Sequence, residues 1–232
     1  YSFMPDRKLY VVSTPIGNLD DITLRAVNIL RDSSLIAAED TRQTKKLLNH
    51  LNISVPMISY FDHNKFQQIP KIIDQLKESN DVALVSDAGT PGISDPAYRL
   101  IRAAIEEKIQ VISIPGASAL LAALIPSGLP TDRFIFEGFL PQKKGRKKIL
   151  EHLSKFDGTI VLFENPKRLK RTLNDICIHI GNRPCVIARE LTKIHEEFIR
   201  GSIKDIMKNV EKIMLKGEMV ILIGKDDDNV YF

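Results

Sequence analysis

Apolar and polar positions along this 232-residue chain follow two rhythms. Short, mostly apolar runs at residues 9–12, 35–38, 82–85 and 111–114 (the last interrupted by Ser113) read as strands, with a shorter one at Met57-Ile58. Between them apolar side chains recur every three or four residues. Such stripes are Ile22, Ala26, Ile29 and Leu30; Leu47, Leu48 and Leu51; Ile69, Ile72, Ile73 and Leu76; and Ala97, Leu100, Ile101, Ala104 and Ile105. Each is the inner face of an amphipathic helix. Near-continuous apolar strands alternating with such helices predict a mainly parallel sheet covered on both faces. Proline and glycine punctuate residues 125–130, and a second series begins beyond them. Its strands are predicted at 134–136, 159–163, 186–188, 197–200 and 219–223. Its helices carry Ile149, Leu150 and Leu153; Leu169, Leu173, Ile176, Cys177 and Ile180; and Ile203, Ile206, Met207 and Val210. The reading is an α/β fold of two α/β domains, 8–116 and 117–225.

Composition narrows the classes. Apolar residues at 44% and charged residues at 27% are those of a folded chain. The longest apolar run, residues 119–125, is far short of the roughly 18–20 residues that span a bilayer. No basic-then-apolar leader opens the sequence, so the expectation is a cytoplasmic protein with no membrane partner. Cys177 and Cys185 provide no disulfide framework, and the five histidines show no ligand spacing. No metal is expected.

The punctuation after the strands is more informative. The first strand runs into Ser13-Thr14-Pro15-Ile16-Gly17-Asn18, the second into Glu39-Asp40-Thr41-Arg42. The next long strand ends in an eleven-residue loop, 86–96, with two glycines and two prolines. Pro115-Gly116-Ala117-Ser118-Ala119 follows the last strand of the first series. In the second series Phe163 leads into Glu164-Asn165-Pro166, and Ala188 into Arg189-Glu190-Leu191-Thr192. Ligands of open α/β sheets bind beyond the carboxyl ends of the strands, so a cleft between the domains is the expected site. Glycines in the 86–96 loop permit close backbone approach, which makes it the best local cofactor loop. Asp20 or Asp21, and Asp95 before Pro96, read as helix N-caps. An arginine in the first turn after Glu39-Asp40 opposes the helix dipole, so Arg42 pairs with a carboxylate, either as a lock or to orient a ligand. Neither G-x-G-x-x-G after the first strand, G-x-x-x-x-G-K-[ST], nor G-x-S-x-G occurs, which argues against Rossmann, P-loop and α/β-hydrolase chemistry.

The net charge of +4 is unevenly spread. Lys143, Lys144, Arg146, Lys147 and Lys148 lie in one acid-free run, and Lys167, Arg168, Lys170 and Arg171 in another. These nine positive charges leave the rest of the chain at −5. Such concentration is either the footprint of a polyphosphate partner or a solvated basic face.

The strand-end segments, taken in order, resemble a known family. Residues 13–23, Glu39-Asp40-Thr41-Arg42, residues 86–96, Pro115-Gly116-Ala117-Ser118-Ala119 and Arg189-Glu190-Leu191-Thr192-Lys193 are similar to those of the ribosomal RNA small subunit methyltransferase I family. That family belongs to the tetrapyrrole methylase superfamily, the class III S-adenosylmethionine methyltransferases. The resemblance implies two α/β domains of the tetrapyrrole methylase type with the cofactor cleft between them. It implies S-adenosylmethionine as cofactor, 16S rRNA or the 30S subunit as partner, a homodimer, and 2′-O-methylation of a decoding-centre cytidine. By motif, Pro15, Gly17, Gly89, Thr90, Ile93, Ser94, Ser118, Ala119, Phe163 and Leu191 would touch the cofactor. The sequence departs from the family where it reads Tyr60-Phe61-Asp62-His63-Asn64-Lys65 and Phe163-Glu164-Asn165-Pro166-Lys167-Arg168, segments that bear on RNA grip.

For that reaction a ribose hydroxyl must lose a proton, and a carboxylate accepts it. The order of expectation is Asp40, Asp87, Glu39, with Arg42 orienting a carboxylate or pinning a phosphate. Lys143, Lys144, Arg146, Lys147, Lys148 and Arg168 are expected on RNA phosphates, in a segment, 141–147, that is mobile without RNA. The rival readings are a tetrapyrrole (precorrin-type) C-methyltransferase, and a non-catalytic ribosome-assembly factor that keeps the fold.

Overall fold

The computed structural model describes residues 7–78, 80–212 and 216–232. The chain divides into two compact units between Ser118 and Ala119.

In the first unit, strands β1 (Lys8–Val12), β2 (Leu35–Ala38), β3 (Met57–Ser59), β4 (Val82–Val85) and β5 (Gln110–Ile114) form one sheet in the order β3-β2-β4-β1-β5. Every pairing is parallel. The side-chain period of two sends alternate residues to opposite faces. Val82 and Leu84 pack with α3 (Lys65–Lys77) and α4 (Ala97–Glu106), through Ile72, Ile73, Leu76, Leu100 and Ala104. Ala83 and Val85 pack with α1 (Leu24–Asp32) and α2 (Thr41–His50), through Ala26, Leu30 and Leu48. A strand buried on both faces has no polar side to alternate with, hence the nearly continuous apolar runs.

The expected caps are corrected. Asp20 and Asp21 cap nothing; they lie in a 3-10 turn capped by Asn18. The helix that follows is capped by Thr23, whose hydroxyl accepts from the Ala26 N–H at 3.1 Å. Hydroxyl caps of this kind contribute about 1 kcal/mol. Asp95 accepts from the Ala97 N–H at 2.9 Å at the start of α4.

The second unit holds α5 (Ala119–Leu124), β6 (Phe134–Phe139), α6 (Arg146–Leu153), β7 (Thr159–Glu164), α7 (Leu169–His179), β8 (Pro184–Arg189), β9 (Glu197–Ser202), α8 (Ile203–Lys208) and β10 (Met219–Ile223). Its sheet runs β6-β7-β10-β8-β9. The parallel direction read for the first series does not extend to this sheet, and its apolar runs do not reveal the difference. Only β6 and β7 are parallel; β10 is antiparallel to both neighbours, and β9 to β8. The reason is burial. β8 and β10 are covered throughout, so they read as continuous apolar runs whatever their direction. α6, α7 and α8 cover one face, around Ile160, Leu162, Ile187 and Ile221. Cys185 is buried among these side chains, and burial pushes its thiol up to about 12, so it stays protonated.

Candidate functional site

All five strands of the first sheet point the same way, so the loops after β1, β2, β4 and β5 leave one edge. Two of them are tied by a small antiparallel bridge. The Thr14 N–H donates to the Gly89 carbonyl at 2.9 Å, and the Gly89 N–H returns to Thr14 at 3.0 Å. Side chains extend the tie. Thr90 Oγ1 donates to the Ala117 carbonyl at 3.0 Å and lies 2.9 Å from Ser13 Oγ. A hydroxyl has one proton, so Ser13 is the donor to Thr90. Thus Ser13, Thr14, Gly89, Thr90 and Ala117 are brought together.

Gly89 meets a backbone demand here. Its φ is +80°, and a Cβ would stand 3.2 Å from Ile16 Cγ2. Gly92 has φ +93° with open space where a side chain would go, and Ser94 takes the left-handed conformation at +69°. The Asp95 carboxylate folds this stretch back, accepting from the Gly92 N–H at 2.8 and 2.9 Å. Ile93 and Ser94 are exposed and Pro15 half-buried, with Gly17 on the surface beside it. Thr14 Oγ1 is buried and has no hydrogen-bond partner among the described residues. A buried hydroxyl left unpaired costs free energy, so a polar ligand at this edge would satisfy it. Thr14 sat inside the quoted motif, yet nothing in the sequence showed that its side chain would lack a partner.

The carboxylates stand at the same edge. Asp87 Oδ1 accepts from the Asp40 N–H at 2.9 Å, and the Asp87 N–H reaches Glu39 Oε2 at 3.3 Å. These links bring together Glu39, Asp40 and Asp87 from two loops. Their electrostatics separate them. Burial, then the nearby Asp87, Asp95 and Asp40 charges, raise the Glu39 carboxyl above its ordinary value, although the Asp87 N–H partly offsets this. Hydrogen bonds from Arg42 hold Asp40 down at about 2. Asp40 caps α2, accepting from the Arg42 N–H at 2.8 Å, while the guanidinium grips both its oxygens at 3.0 and 2.7 Å. Arg42 therefore locks a carboxylate and remains 86% exposed.

The second unit presents its expected residues separately. Phe163 packs edge-on against Phe136 and Phe139, with centroids at 4.9 and 5.6 Å. Leu191 is buried in a turn where Glu190 and Thr192 both have positive φ. Ser118 ends the first unit and Ala119 begins α5.

Arg146 is not a surface cation, which corrects its placement on RNA. It is 6% exposed and reaches Asp175 at 2.7 Å, the Thr172 hydroxyl at 2.8 Å and the Pro141 carbonyl at 3.1 Å. The Thr172 hydroxyl in turn donates a hydrogen bond to the buried Glu164 at 2.5 Å. Arg168 pairs with Glu164 at 2.9 Å, so it too is largely committed inward. In the segment 141–147, expected to be mobile, the Pro141 carbonyl accepts from Arg146 and the Gln142 carbonyl accepts from Arg171 at 2.9 Å. A run of like charges hides which of its members is buried. Lys143, Lys144, Lys147 and Lys148 do stand exposed.

The Tetrapyrrole (Corrin/Porphyrin) Methylases family model matches residues 8–207. The chain is 50% identical over 223 residues to ribosomal RNA small subunit methyltransferase I of Halalkalibacterium halodurans, covering 96% of this chain and 77% of that protein. It is 49% identical to the protein of the same name from Thermotoga maritima, covering 94% of this chain and 99% of that one. The chain belongs to the ribosomal RNA small subunit methyltransferase I family of tetrapyrrole methylases.

Solved structures share the fold at low identity. A cobalt precorrin-4 methyltransferase superposes with a TM-score of 0.71 at 19% identity, covering 94% of this chain and 95% of that one. A uroporphyrin-III C-methyltransferase from Thermus thermophilus, complexed with S-adenyl homocysteine, gives 0.65 at 16%, covering 94% and 97%. Tetrapyrrole methylases thus share this two-unit architecture across large sequence distances. No helix among the described residues is long and apolar enough to cross a membrane. Among the same residues no group of three or more His, Cys, Asp or Glu is placed to hold a metal ion.

Proposed function

We propose that this methyltransferase moves a methyl group from S-adenosylmethionine to the 2′-hydroxyl of a cytidine ribose in the decoding centre of 16S rRNA. The relatives' shared name supports methylation of small-subunit rRNA; the cytidine 2′-hydroxyl is what the motif resemblance implies. The observation on the molecule that carries the chemistry is Glu39, a part-buried carboxylate with a raised pKa at the edge where the parallel strands end.

Thr14, Gly89, Gly92 and Ser94 are the residues that fit the cofactor. Between them they offer an unpaired buried hydroxyl and a backbone free of side-chain obstruction at the glycines. Bound S-adenosylmethionine supplies an electrophilic methyl on a positively charged sulfur. Residues on this edge fix the direction of approach, the main protein contribution when two reactants need only be held in line. Glu39 accepts the ribose proton. Its raised pKa makes it a stronger base than an ordinary surface carboxylate, whereas Asp40, held at about 2, is a weak one. Asp87 positions the other two through its N–H and its carboxylate. This reverses the order expected from the sequence.

Lys143, Lys144, Lys147 and Lys148 supply phosphate contacts, which set register more than they read sequence. On this reading the enzyme works in the cytoplasm as a homodimer. The direct test is methyl transfer from labelled S-adenosylmethionine to unmodified 30S subunits and to naked 16S rRNA, followed by mapping of the alkali-resistant position. One new 2′-O-methylcytidine is the expected product. Transfer to a tetrapyrrole, with none to rRNA, would overturn the proposal.

A further inference from the structure

Three large aromatic side chains stand exposed at the strand edge of the first unit. Phe61 follows β3 and is 37% exposed; Phe66, in the first turn of α3, is 71% exposed; Tyr98, in the first turn of α4, is 63% exposed. α3 and α4 pack side by side on one sheet face. Both run back from the edge at which the parallel strands end, so their first turns lie at that edge, where the carboxylates also sit.

Tyr60 joins these pieces. It is buried, its N–H donates to the Ala38 carbonyl at 2.8 Å, and its hydroxyl to the Pro96 carbonyl at 2.9 Å. The Phe61 turn is thereby tied to the residue before Glu39 on one side and to the start of α4 on the other. Asn64 fixes the turn from within. Its side-chain oxygen accepts from the Phe61 N–H at 2.8 Å, and its amide donates to the Ser59 carbonyl at 3.0 Å. The Phe61 ring stands edge-on to His63 at 6.2 Å. Pro70 has no N–H for the Phe66 carbonyl, which leaves that acceptor without its helical partner.

Cations are interleaved with the rings. Lys65 lies 5.5 Å from the Phe66 centroid and is ion-paired with Asp62. Arg99, one residue beyond Tyr98, is exposed, and its guanidinium makes no hydrogen bond or ion pair with the described residues. Its charge acts on both Asp62 and Tyr60, which places it beside the same turn. Exposed aromatics held on a rigid turn and two helix starts, with an uncommitted guanidinium among them, match an unstacked base and its phosphate. Every base has a π-face, and splayed single-stranded RNA is read by such stacking. A protein-docking patch would instead deplete charge at its centre.

We propose that Phe61, Phe66 and Tyr98 form a stacking platform for an unpaired nucleobase of the RNA substrate, with Arg99 and Lys65 serving its phosphates. This rests on the reading of the chain as an rRNA methyltransferase and adds where a base outside the reacting nucleotide is held.

The chain contains no tryptophan, so Phe66→Trp introduces a single indole that keeps a stacking face. The probes are a single-stranded RNA oligonucleotide of decoding-centre sequence, the same strand annealed to its complement, and inorganic polyphosphate. Quenching by the single strand, with little from the duplex or the polyphosphate, is expected. Phe66→Leu with Tyr98→Leu should raise the oligonucleotide Kd by about 5- to 100-fold. It should raise KM for 30S subunits more than it lowers kcat, with Tm within about 2 °C of the parent. Phe66→Trp should recover most of the affinity.

An unquenched indole at oligonucleotide concentrations that saturate methyl transfer would overturn the platform and leave the enzyme assignment standing. Equal quenching by polyphosphate, or quenching by a porphyrin alone, would also overturn it. A raised KM for 30S subunits with an unchanged oligonucleotide Kd would assign the surface to a ribosomal protein instead. If the parent chain neither binds nor methylates rRNA, the assignment fails and the platform with it.

Discussion

The two units are built from similar materials and solve different problems. In the first, every strand is parallel, so successive loops leave one edge and converge. Chemistry-bearing residues far apart in sequence, Thr14, Glu39 and Gly89, are gathered there by topology alone. In the second, β10 runs against both its neighbours, so loops leave both edges of the sheet. That unit invests its polar residues in a buried network, Arg146, Thr172, Glu164 and Asp175, and keeps lysines on its surface. Parallel direction, more than composition, decides where a site assembles.

Mutations can break this contrast. The largest effect is expected in the first unit. Glu39→Gln should lower kcat by roughly 100- to 10,000-fold while cofactor Kd is unchanged, as measured by single-turnover methyl transfer and calorimetry. The pH profile sharpens it. On the proposed reading Glu39 accepts a proton only when ionised, and burial raises its carboxyl above the ordinary value. Activity should therefore rise with pH through that raised value and fall below it. An acid limb that persists unchanged in Glu39→Gln would assign the base elsewhere.

Next comes the network of the second unit. Arg146→Met removes the buried partner of Asp175 and the donor to the Thr172 hydroxyl, and should cost roughly 3–5 kcal/mol in denaturant unfolding of that unit. A loss of RNA affinity at unchanged stability would return Arg146 to the RNA surface. Reversing Lys143, Lys144, Lys147 and Lys148 to Glu should do the converse, weakening rRNA binding by about 100-fold at low salt and flattening its salt dependence. Stability and cofactor Kd should not move. Smallest is Gly89→Val, which should raise cofactor Kd by about tenfold or more, since a branched side chain is strained at φ +80° and crowds Ile16. Equal affinity in the folded variant would remove the Gly89 loop from the site.

The strands of both sheets were legible because burial on two faces leaves a nearly continuous apolar run. Their direction in the second sheet was not, because a run such as residues 219–223 reads the same whichever way its neighbours point. The loops of the site were legible as glycine- and proline-rich punctuation. The different environments of Glu39 and Asp40, on which the proposed ranking rests, were not, because they depend on which carboxylate Arg42 reaches and which one is desolvated. Arg146 was misplaced for a related reason. Five cations within six residues look alike in sequence, yet the first residue of α6 meets Asp175 and Thr172 while the lysines around it are exposed. Phe66 and Tyr98 carry no local signal at all; only the packing of two helices sets their first turns at one edge.

The position of β10 has a consequence for the order of events during synthesis. It is the last strand of the second unit to be made, yet it is the middle strand of its sheet, between β7 and β8. Until residues 219–223 are available, β6-β7 and β8-β9 are two separate pairs, each with an unsatisfied inner edge. The first unit meets no such delay, since its final strand, β5, only adds to an edge. On an elongating chain the carboxylate-bearing half can therefore close early, while the basic half stays an open pair of ribbons until residues 219–223 have been translated.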